Sequence, residues 1–373
     1  MTKRTRTTRR AAPRGVDSTA RDASTAAKPL AGRVAIVAGA TRGAGRGIAR
    51  ALGEAGAIVY CTGRSTRGSP SHYARPETID ETAELVTAAG GIAIPVRVDH
   101  AAETEVQALF DRVDREQGRL DVLASSLGGE DPMLGPWGPF WETDLSRAAD
   151  VFRNAILSHL ITAKHAARLM IRRRRGLIVE ITESDLLTGG GGGSILNGLV
   201  KHATKGLALM MADELRKHRV AALAITPGYL RSESMLQHYG VTEENWREGA
   251  KKDPNFLHSE TPLFVGRAVA ALAADPKVLA RTGDVTSSWE IAREFGFIDA
   301  DGSRPDWGRH VQESVIPSLK WFREGLERYA ALLERHAGRA RRYLGSHNAA
   351  EPRGRDAGRQ ASPSSTLDSA APL

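Results

Sequence analysis

The chain contains almost no cysteine: Cys61 is the only one among its 373 residues. A single cysteine excludes an internal disulfide and any metal site built from several cysteines. No apolar run approaches the roughly 20 residues that cross a bilayer, and the first residues lack the apolar segment that a signal peptide needs. The sequence therefore predicts a cytoplasmic protein with no metal site and no membrane anchor.

Basic charge is concentrated at one end of the chain. The net charge is +8, and residues 1–28 alone hold eight Lys or Arg against two Asp. This segment has almost no large apolar residue, so we expect a disordered basic extension over 1–28. A solvated extension is favoured over a tether to nucleic acid or to an acidic surface. Residues 346–373 are polar, contain Pro and Ser, and predict a disordered tail.

Between these segments, short apolar runs alternate with helical stretches. Each run is apolar enough for a strand buried on both faces. The alternation predicts an α/β fold over residues 29–310, a single domain with a doubly wound, Rossmann-type parallel sheet of about seven strands. Pro95 in the third run indicates a sheet edge or a bulge. The predicted strands are 33–40, 57–63, 92–99, 120–126, 176–182, 220–228 and 283–289, and the predicted helices are 45–56, 77–89, 102–117, 143–175 and 195–218.

The turn after the first strand is rich in glycine. Gly39, Gly43 and Gly45 fall between a buried strand and an amphipathic helix, with Thr41 and Arg42 among them. Missing side chains let a pyrophosphate approach the backbone and the positive end of the helix. A tight connection without a ligand is the alternative, but this position between strand and helix favours a dinucleotide site.

The end of the second strand distinguishes the two nicotinamide coenzymes. A carboxylate there usually holds the adenosine ribose of NAD(H), whereas the 2′-phosphate of NADP(H) requires a guanidinium. The strand ends in Arg64, Ser65 and Thr66 with no acid, and Arg42 lies in the glycine turn opposite. Either arginine alone is compatible with a solvated surface charge. Their joint occurrence at the two expected positions favours NADP(H) over NAD(H).

Several motifs resemble those of the short-chain dehydrogenases/reductases. "AGATRGAG" resembles the TGxxxGxG fingerprint of that family, and "LDVLASSLGG" resembles its LDVLVNNAG, with Ser125 and Ser126 in place of the paired asparagines. Asp99 in "VDH" resembles the acid that meets the adenine edge. Pro227 and Gly228 in "TPG" resemble the family's step beside the nicotinamide. Segments such as "GLIVEIT" are most similar to the branch of dehydrogenase/reductase member 1.

The resemblance extends in unbroken order over about residues 30–300. It implies a Rossmann-type domain and an NAD(P)-dependent redox step on a carbonyl or alcohol of a small-molecule substrate. It also implies a homodimer or homotetramer built on long helices. Within the domain, the family uses the region equivalent to 229–262 as a substrate lid. The apolar side chains of this lid either close over a hydrophobic ligand or pack the lid onto the domain.

The resemblance further implies a set of catalytic residues, one of which departs from the pattern. In the family a tyrosine protonates the alkoxide, assisted by a lysine four residues later, an earlier serine and a relay asparagine on the preceding long helix. Ser184 and Lys201 match the serine and lysine, and Asn154 is the candidate relay asparagine. Asn197 stands at the tyrosine's position. An amide releases no proton at accessible pH.

Two functions therefore stay open. The first is an NADP(H)-dependent oxidoreductase with an altered proton donor, for which Glu183 and Tyr229 are candidates. The second is a dinucleotide-binding protein with little turnover, such as a sensor, a partner subunit or a non-redox enzyme. Loss of a positioned general acid costs about 10²–10⁴ in rate, which leaves room for a slow enzyme.

A further helix is predicted after the domain. Residues 311–345 carry apolar side chains at alternating spacings of four and three, which is typical of an amphipathic helix. Such a stripe requires a partner surface. Packing on its own domain is favoured over packing on a second subunit.

Overall fold

Seven strands form one sheet in the computed structural model of the chain, and all hydrogen-bonded neighbours in it are parallel. They are β1 (Val34–Ala38), β2 (Ile58–Gly63), β3 (Ile92–Arg97), β4 (Val122–Ser125), β5 (Gly176–Ile181), β6 (Val220–Thr226) and β7 (Val285–Ser287). The spatial order is β3-β2-β1-β4-β5-β6-β7. The direction of winding reverses between β1 and β4, which opens a crevice at the carboxyl ends of these strands. The predicted Rossmann-type sheet is confirmed.

The structure describes most of the chain between residue 28 and residue 315. The described residues fall into two compact units, one ending at His310 and one beginning at Val311. The predicted tails, apart from Lys28, and Ser184 lie outside the described residues, as does most of the predicted C-terminal helix. The described residues are 28–71, 75–128, 138–183, 194–315, 327, 330, 331 and 334–339.

Helices cover both faces of the sheet. They are α1 (Gly43–Glu54), α2 (Ile79–Ala88), α3 (Glu103–Gln117), α4 (Ala148–Phe152), α5 (Ser158–Arg173), α6 (Ile195–Leu215), α7 (Glu233–Tyr239), α8 (Pro262–Ala274), α9 (Ser288–Phe295) and α10 (Trp307–His310). Alternate residues of a strand point to opposite faces. Accordingly, Val37 packs with Ile48 of α1 and Val265 of α8, whereas Ile36 packs with Leu109 of α3 and Met170 of α5. None of the helices in the described part is long and apolar enough to cross a membrane.

Pro95 lies in β3 at the edge of the sheet, where β2 is its only neighbouring strand among the described residues. The pairing across it is one-to-one, with Ile94 opposite Tyr60, Pro95 opposite Cys61 and the next pair in register. A proline on an edge strand can direct its missing N–H away from the ladder. The sheet-edge alternative is therefore confirmed, and no bulge occurs at this position.

The helix predicted over 143–175 begins later and contains an irregular turn. The Asp144 carboxylate accepts hydrogen bonds from the backbone N–H of Ser146 at 2.8 Å and from its hydroxyl at 2.9 Å. This local turn competes with helix formation, so the helix starts at Ala148 and the predicted start at residue 143 is wrong. A π-helical turn, Arg153–Leu157, separates α4 from α5. Such turns occur frequently at functional sites.

Candidate coenzyme cleft and active site

A cleft of about 1010 Å³ lies at the carboxyl ends of the strands. In a doubly wound sheet, ligands bind at this edge, at the point where the winding reverses. The lining combines the glycine turn, arginines at one end, the start of α6 and part of the lid. Residues that follow or end six successive strands line it: Gly39, Gly63, Val98, Ser126, Thr182 and Pro227.

The glycine turn brings the start of α1 against the end of β1. Gly39 has a φ of +83° and Gly43 a φ of +53°, and both line the cleft together with Thr41. A side chain at Gly45 would place its Cβ 2.1 Å from the Gly39 carbonyl oxygen. Gly45 therefore permits close packing of helix and turn rather than lining the cleft. The backbone N–H groups at the start of α1 form the positive end of that helix.

A cluster of arginines occupies one end of the cleft. Arg42 and Arg64 line it as the sequence predicts, and Arg75, which sequence reasoning missed, lines it as well. One terminal nitrogen of Arg42 lies 3.4 Å from the Ser71 hydroxyl, and its Nε lies 3.8 Å from Glu77. Within the described part of the chain, this buried Nε has no hydrogen-bond acceptor. Burial lowers the pKa of the Arg42 guanidinium. Arg75 is already paired with the Glu77 carboxylate, so the Arg42 Nε is the donor of this cluster best suited to an anion.

The polar residues next to the cluster are placed by the ends of β2 and β3. Ser65 and Asp99 both line the cleft, and the Asp99 carboxylate accepts a hydrogen bond from Ala101 N–H at 2.9 Å. His100, which sequence reasoning missed, lies between the hydroxyls of Thr62 and Thr162 at 2.8 and 2.9 Å. Burial lowers the pKa of His100 to about 3, so the ring is neutral at physiological pH.

The serines that end β4 differ in position. Ser126 lines the cleft, whereas Ser125 is fully buried and is not part of the lining. The end of β4 is instead tied by His159 of α5, whose Nε2 donates to the Leu127 carbonyl at 3.0 Å. The Nδ1 of the same ring lies 2.5 Å from a carboxylate oxygen of Glu180 in β5. This buried His159–Glu180 pair links β4, β5 and α5 beneath the cleft.

Three of the predicted catalytic residues line the cleft from the helices that follow β4 and β5. Asn154, from the π-helical turn, lines it together with Asn197 and Lys201. Ser194 caps α6 by accepting the Asn197 N–H at 3.4 Å, so Asn197 lies in the first turn and Lys201 one turn later. The Lys201 Nζ is 3.9 Å from the Glu183 carboxylate. Ser184 lies outside the described residues.

The backbone of Pro227 and Gly228, directly after β6, is held by a buried carboxyl group. Pro227 and Gly228 line the cleft, and the Gly228 N–H donates to Glu260 Oε2 at 2.9 Å. The Ser288 hydroxyl donates to the same oxygen at 2.6 Å. Burial raises the pKa of Glu260 to about 8. Glu260 and Ser288 belong to separate segments of the chain, and sequence reasoning did not identify either.

The region predicted as the lid, residues 229–262, has a small apolar core of its own. Its buried core consists of Tyr239, Trp246 and Phe256, and Tyr229 packs against this cluster. The Tyr229 hydroxyl bonds to the Tyr239 hydroxyl and donates to Asp253 at 3.0 Å. Burial is the main cause that raises the pKa of Tyr229. The arrangement fixes the Tyr229 phenol within the lid.

The doubly wound sheet, the glycine turn and the cleft across the strand ends define a nucleotide-binding α/β protein. The family model "short chain dehydrogenase" matches residues 33–239, and the chain belongs to this family of oxidoreductases, which bind nicotinamide dinucleotides. It is 36% identical over 304 residues to dehydrogenase/reductase SDR family member 1 of Mus musculus, covering 79% of this chain and 92% of that protein. It is 37% identical over 284 residues to the Homo sapiens protein of the same name, covering 74% and 86%.

Solved structures show the same fold at lower identity. Hydroxysteroid dehydrogenase from Escherichia coli superposes with a TM-score of 0.55 at 22% identity, covering 69% of this chain and 95% of that one. An actinorhodin polyketide ketoreductase with NADPH gives a TM-score of 0.57 at 24% identity, covering 70% and 97%. These similarities support the fold alone.

Proposed function

We propose that the chain is an NADP(H)-dependent oxidoreductase that acts on the carbonyl or alcohol group of a small molecule with a proton donor other than tyrosine. The observation that carries this proposal is the cleft itself. Arg42 and Arg64 line it from the segments after β1 and β2, and Asn197 and Lys201 line it from α6, which follows β5 on the other side of the point where the winding reverses. A dinucleotide has its phosphates and its reactive ring at opposite ends, as such a cleft requires.

Arg42 supports a preference for NADP(H), which carries a 2′-phosphate, over NAD(H). Its buried Nε lacks a hydrogen-bond acceptor among the described residues, and a buried donor without an acceptor is costly. A phosphate oxygen at this position would satisfy it. We expect Arg42 and Arg64 to hold the 2′-phosphate with the Ser65 hydroxyl, since guanidinium groups match phosphate geometry. Asp99 would contact the adenine side.

Proton transfer is assigned to groups near Lys201. The coenzyme, when bound, supplies or accepts the hydride. We expect Lys201 to hold the nicotinamide ribose and Asn197 to donate an amide hydrogen bond to the substrate oxygen. The proton that this oxygen receives would come from the Lys201 ammonium, which the Glu183 carboxylate, 3.9 Å from the Lys201 Nζ, would hold in place. A proton from solvent would then restore the ammonium. Tyr229 is disfavoured as the donor because its hydroxyl is held by the lid.

A second candidate is a coenzyme-binding protein with little redox turnover. It is favoured by one observation, the amide at residue 197. Asn197 lines the cleft one turn before Lys201, and an amide cannot release a proton. In this case Lys201 serves coenzyme binding alone.

We also propose a homodimer or homotetramer. Large apolar side chains are exposed on the long helical segments, as an interface between copies would require. Met210 of α6 is 64% exposed, and Leu160 of α5 is 49% exposed. Leu199 and Leu209 of α6 are about half exposed as well.

The loss of NADPH absorbance with a panel of aldehydes and ketones separates the two candidates. The enzyme proposal predicts slow turnover that survives Asn197→Ala and falls in Glu183→Gln, while Asn197→Tyr raises the rate. If NADPH binds the wild-type chain but turnover appears only in Asn197→Tyr, the second candidate is correct. If NADPH does not bind, both candidates are wrong.

A further inference from the structure

The lid places a carboxylate on the glycine turn. Glu233 is the first residue of α7, and its Oε2 accepts a hydrogen bond from the backbone N–H of Gly43 at 2.8 Å. Its other oxygen lies 3.4 Å from a terminal nitrogen of Arg46. The two ends of this contact are 190 residues apart in the chain. The contact therefore joins the lid to the start of α1.

Gly43 is the residue at which α1 begins. The first N–H groups of a helix have no partner within the helix, and together with the helix dipole they attract an anion. In dinucleotide-binding sheets of this kind, the pyrophosphate lies at this helix terminus. A carboxylate oxygen 2.8 Å from the Gly43 nitrogen occupies the position that a phosphate oxygen would take.

The rest of the lid follows Glu233 over the turn. A Cβ built on Gly43 would lie 3.7 Å from the Ser232 Cβ and 3.9 Å from a methyl group of Leu230. Ser232 in turn caps α7 by accepting the Met235 N–H at 3.4 Å. The lid segment thus lies beside the glycine turn, and Glu233 holds the Gly43 N–H that a phosphate oxygen would need.

We propose that Glu233 is an internal anion that competes with the coenzyme pyrophosphate for the start of α1. Coenzyme binding then requires the Glu233 carboxylate to leave the Gly43 amide, because two anions at one helix terminus repel each other. The contact lowers coenzyme affinity and couples binding to a shift of the lid. This inference rests on the proposed coenzyme binding.

The test compares the wild-type chain with Glu233→Gln, Glu233→Ala and the control Glu248→Gln. The control removes the same charge from the lid, where Glu248 pairs with Lys251 at 3.6 Å. We expect both Glu233 variants to bind NADPH about fivefold more tightly by calorimetry, and the control to bind like the wild type. Hydrogen exchange of residues 230–239 should be faster in Glu233→Ala without ligand. Inorganic pyrophosphate should accelerate this exchange in the wild-type chain and in the control, but not in Glu233→Ala.

The outcomes separate this inference from the coenzyme proposal. Equal NADPH affinity in all four proteins, or weaker binding in both Glu233 variants than in the control, refutes the competition while coenzyme binding stands. If NADPH binds none of them but pyrophosphate binds Glu233→Ala more tightly than the wild type, the coenzyme proposal fails and the competition stands.

Discussion

Replacing Glu260 by glutamine should remove one source of pH-dependent stability. Glu260 is fully buried, and burial raises its pKa from the ordinary 4.5 to about 8. The folded chain therefore keeps a proton that the unfolded chain loses between these two values. The stability that Glu260 contributes is therefore fully present below pH 4.5 and is lost as pH rises through about 8. Glutamine has no such proton, so Glu260→Gln lacks this dependence.

The magnitude follows from the pKa difference. The interval from pH 5 to the folded pKa of about 8 is about three pH units, and each unit is worth about 1.36 kcal/mol. Between about pH 5 and pH 9, the free energy of unfolding should therefore fall by about 4 kcal/mol more in the wild-type chain than in the variant. Glutamine also places an amide where Glu260 Oε1 has no hydrogen-bond partner among the described residues. That unsatisfied group costs about 1–3 kcal/mol. The variant should be less stable at acid pH and more stable at alkaline pH.

Urea denaturation followed by tryptophan fluorescence measures both free energies of unfolding. Other titrating groups cancel because only the difference between wild type and variant is compared at each pH. Glu248→Gln, in which an exposed carboxylate is replaced, should show a difference that does not change with pH. The reasoning is refuted if the stability difference for Glu260→Gln is the same at both pH values, since Glu260 would then be ionised in the folded chain.

Three further substitutions test packing and the polar core. Gly47→Ala should lower the free energy of unfolding in urea by about 3 kcal/mol or more, because the new Cβ would lie 1.8 Å from the Pro262 carbonyl oxygen. The control Gly206→Ala in α6, whose new Cβ would lie 3.7 Å from its nearest neighbour, should instead raise it by up to about 1 kcal/mol. Equal effects of the two substitutions would contradict this packing. Glu180→Gln should lower the free energy of unfolding by about 1–3 kcal/mol by weakening the buried bond to His159, and unchanged stability would contradict its contribution.

Local patterns account for most of the fold that could be predicted. Strands buried on both faces are continuous apolar runs, so β1 and its parallel neighbours are visible in the sequence, and Pro95 indicates the edge. Glycines between a strand and a helix likewise indicate the cleft. The start of the helix at Ala148 was missed because Asp144 forms a side-chain turn with Ser146, which competes with helix formation over a few residues.

The remaining site residues depend on contacts between distant segments. Glu233 meets Gly43 across 190 residues, and Glu260 meets Gly228 across 32. Arg75 lines the cleft from a loop without a distinctive spacing. Such contacts exist only after the elements pack together, so no periodicity or local motif in the sequence indicates them. The effect of Asn197 on turnover also stays a prediction, because the structure shows where this side chain lies and not how fast the chain reacts.

The most direct test of the account is a calorimetric titration of the wild-type chain with NADPH and with NADH, repeated for Arg42→Ala. We expect NADPH to bind the wild-type chain at least about tenfold more tightly than NADH, and we expect Arg42→Ala to lose this preference. Absence of heat with either coenzyme, or equal affinity for the two in the wild-type chain, would contradict a 2′-phosphate held by Arg42 in this cleft.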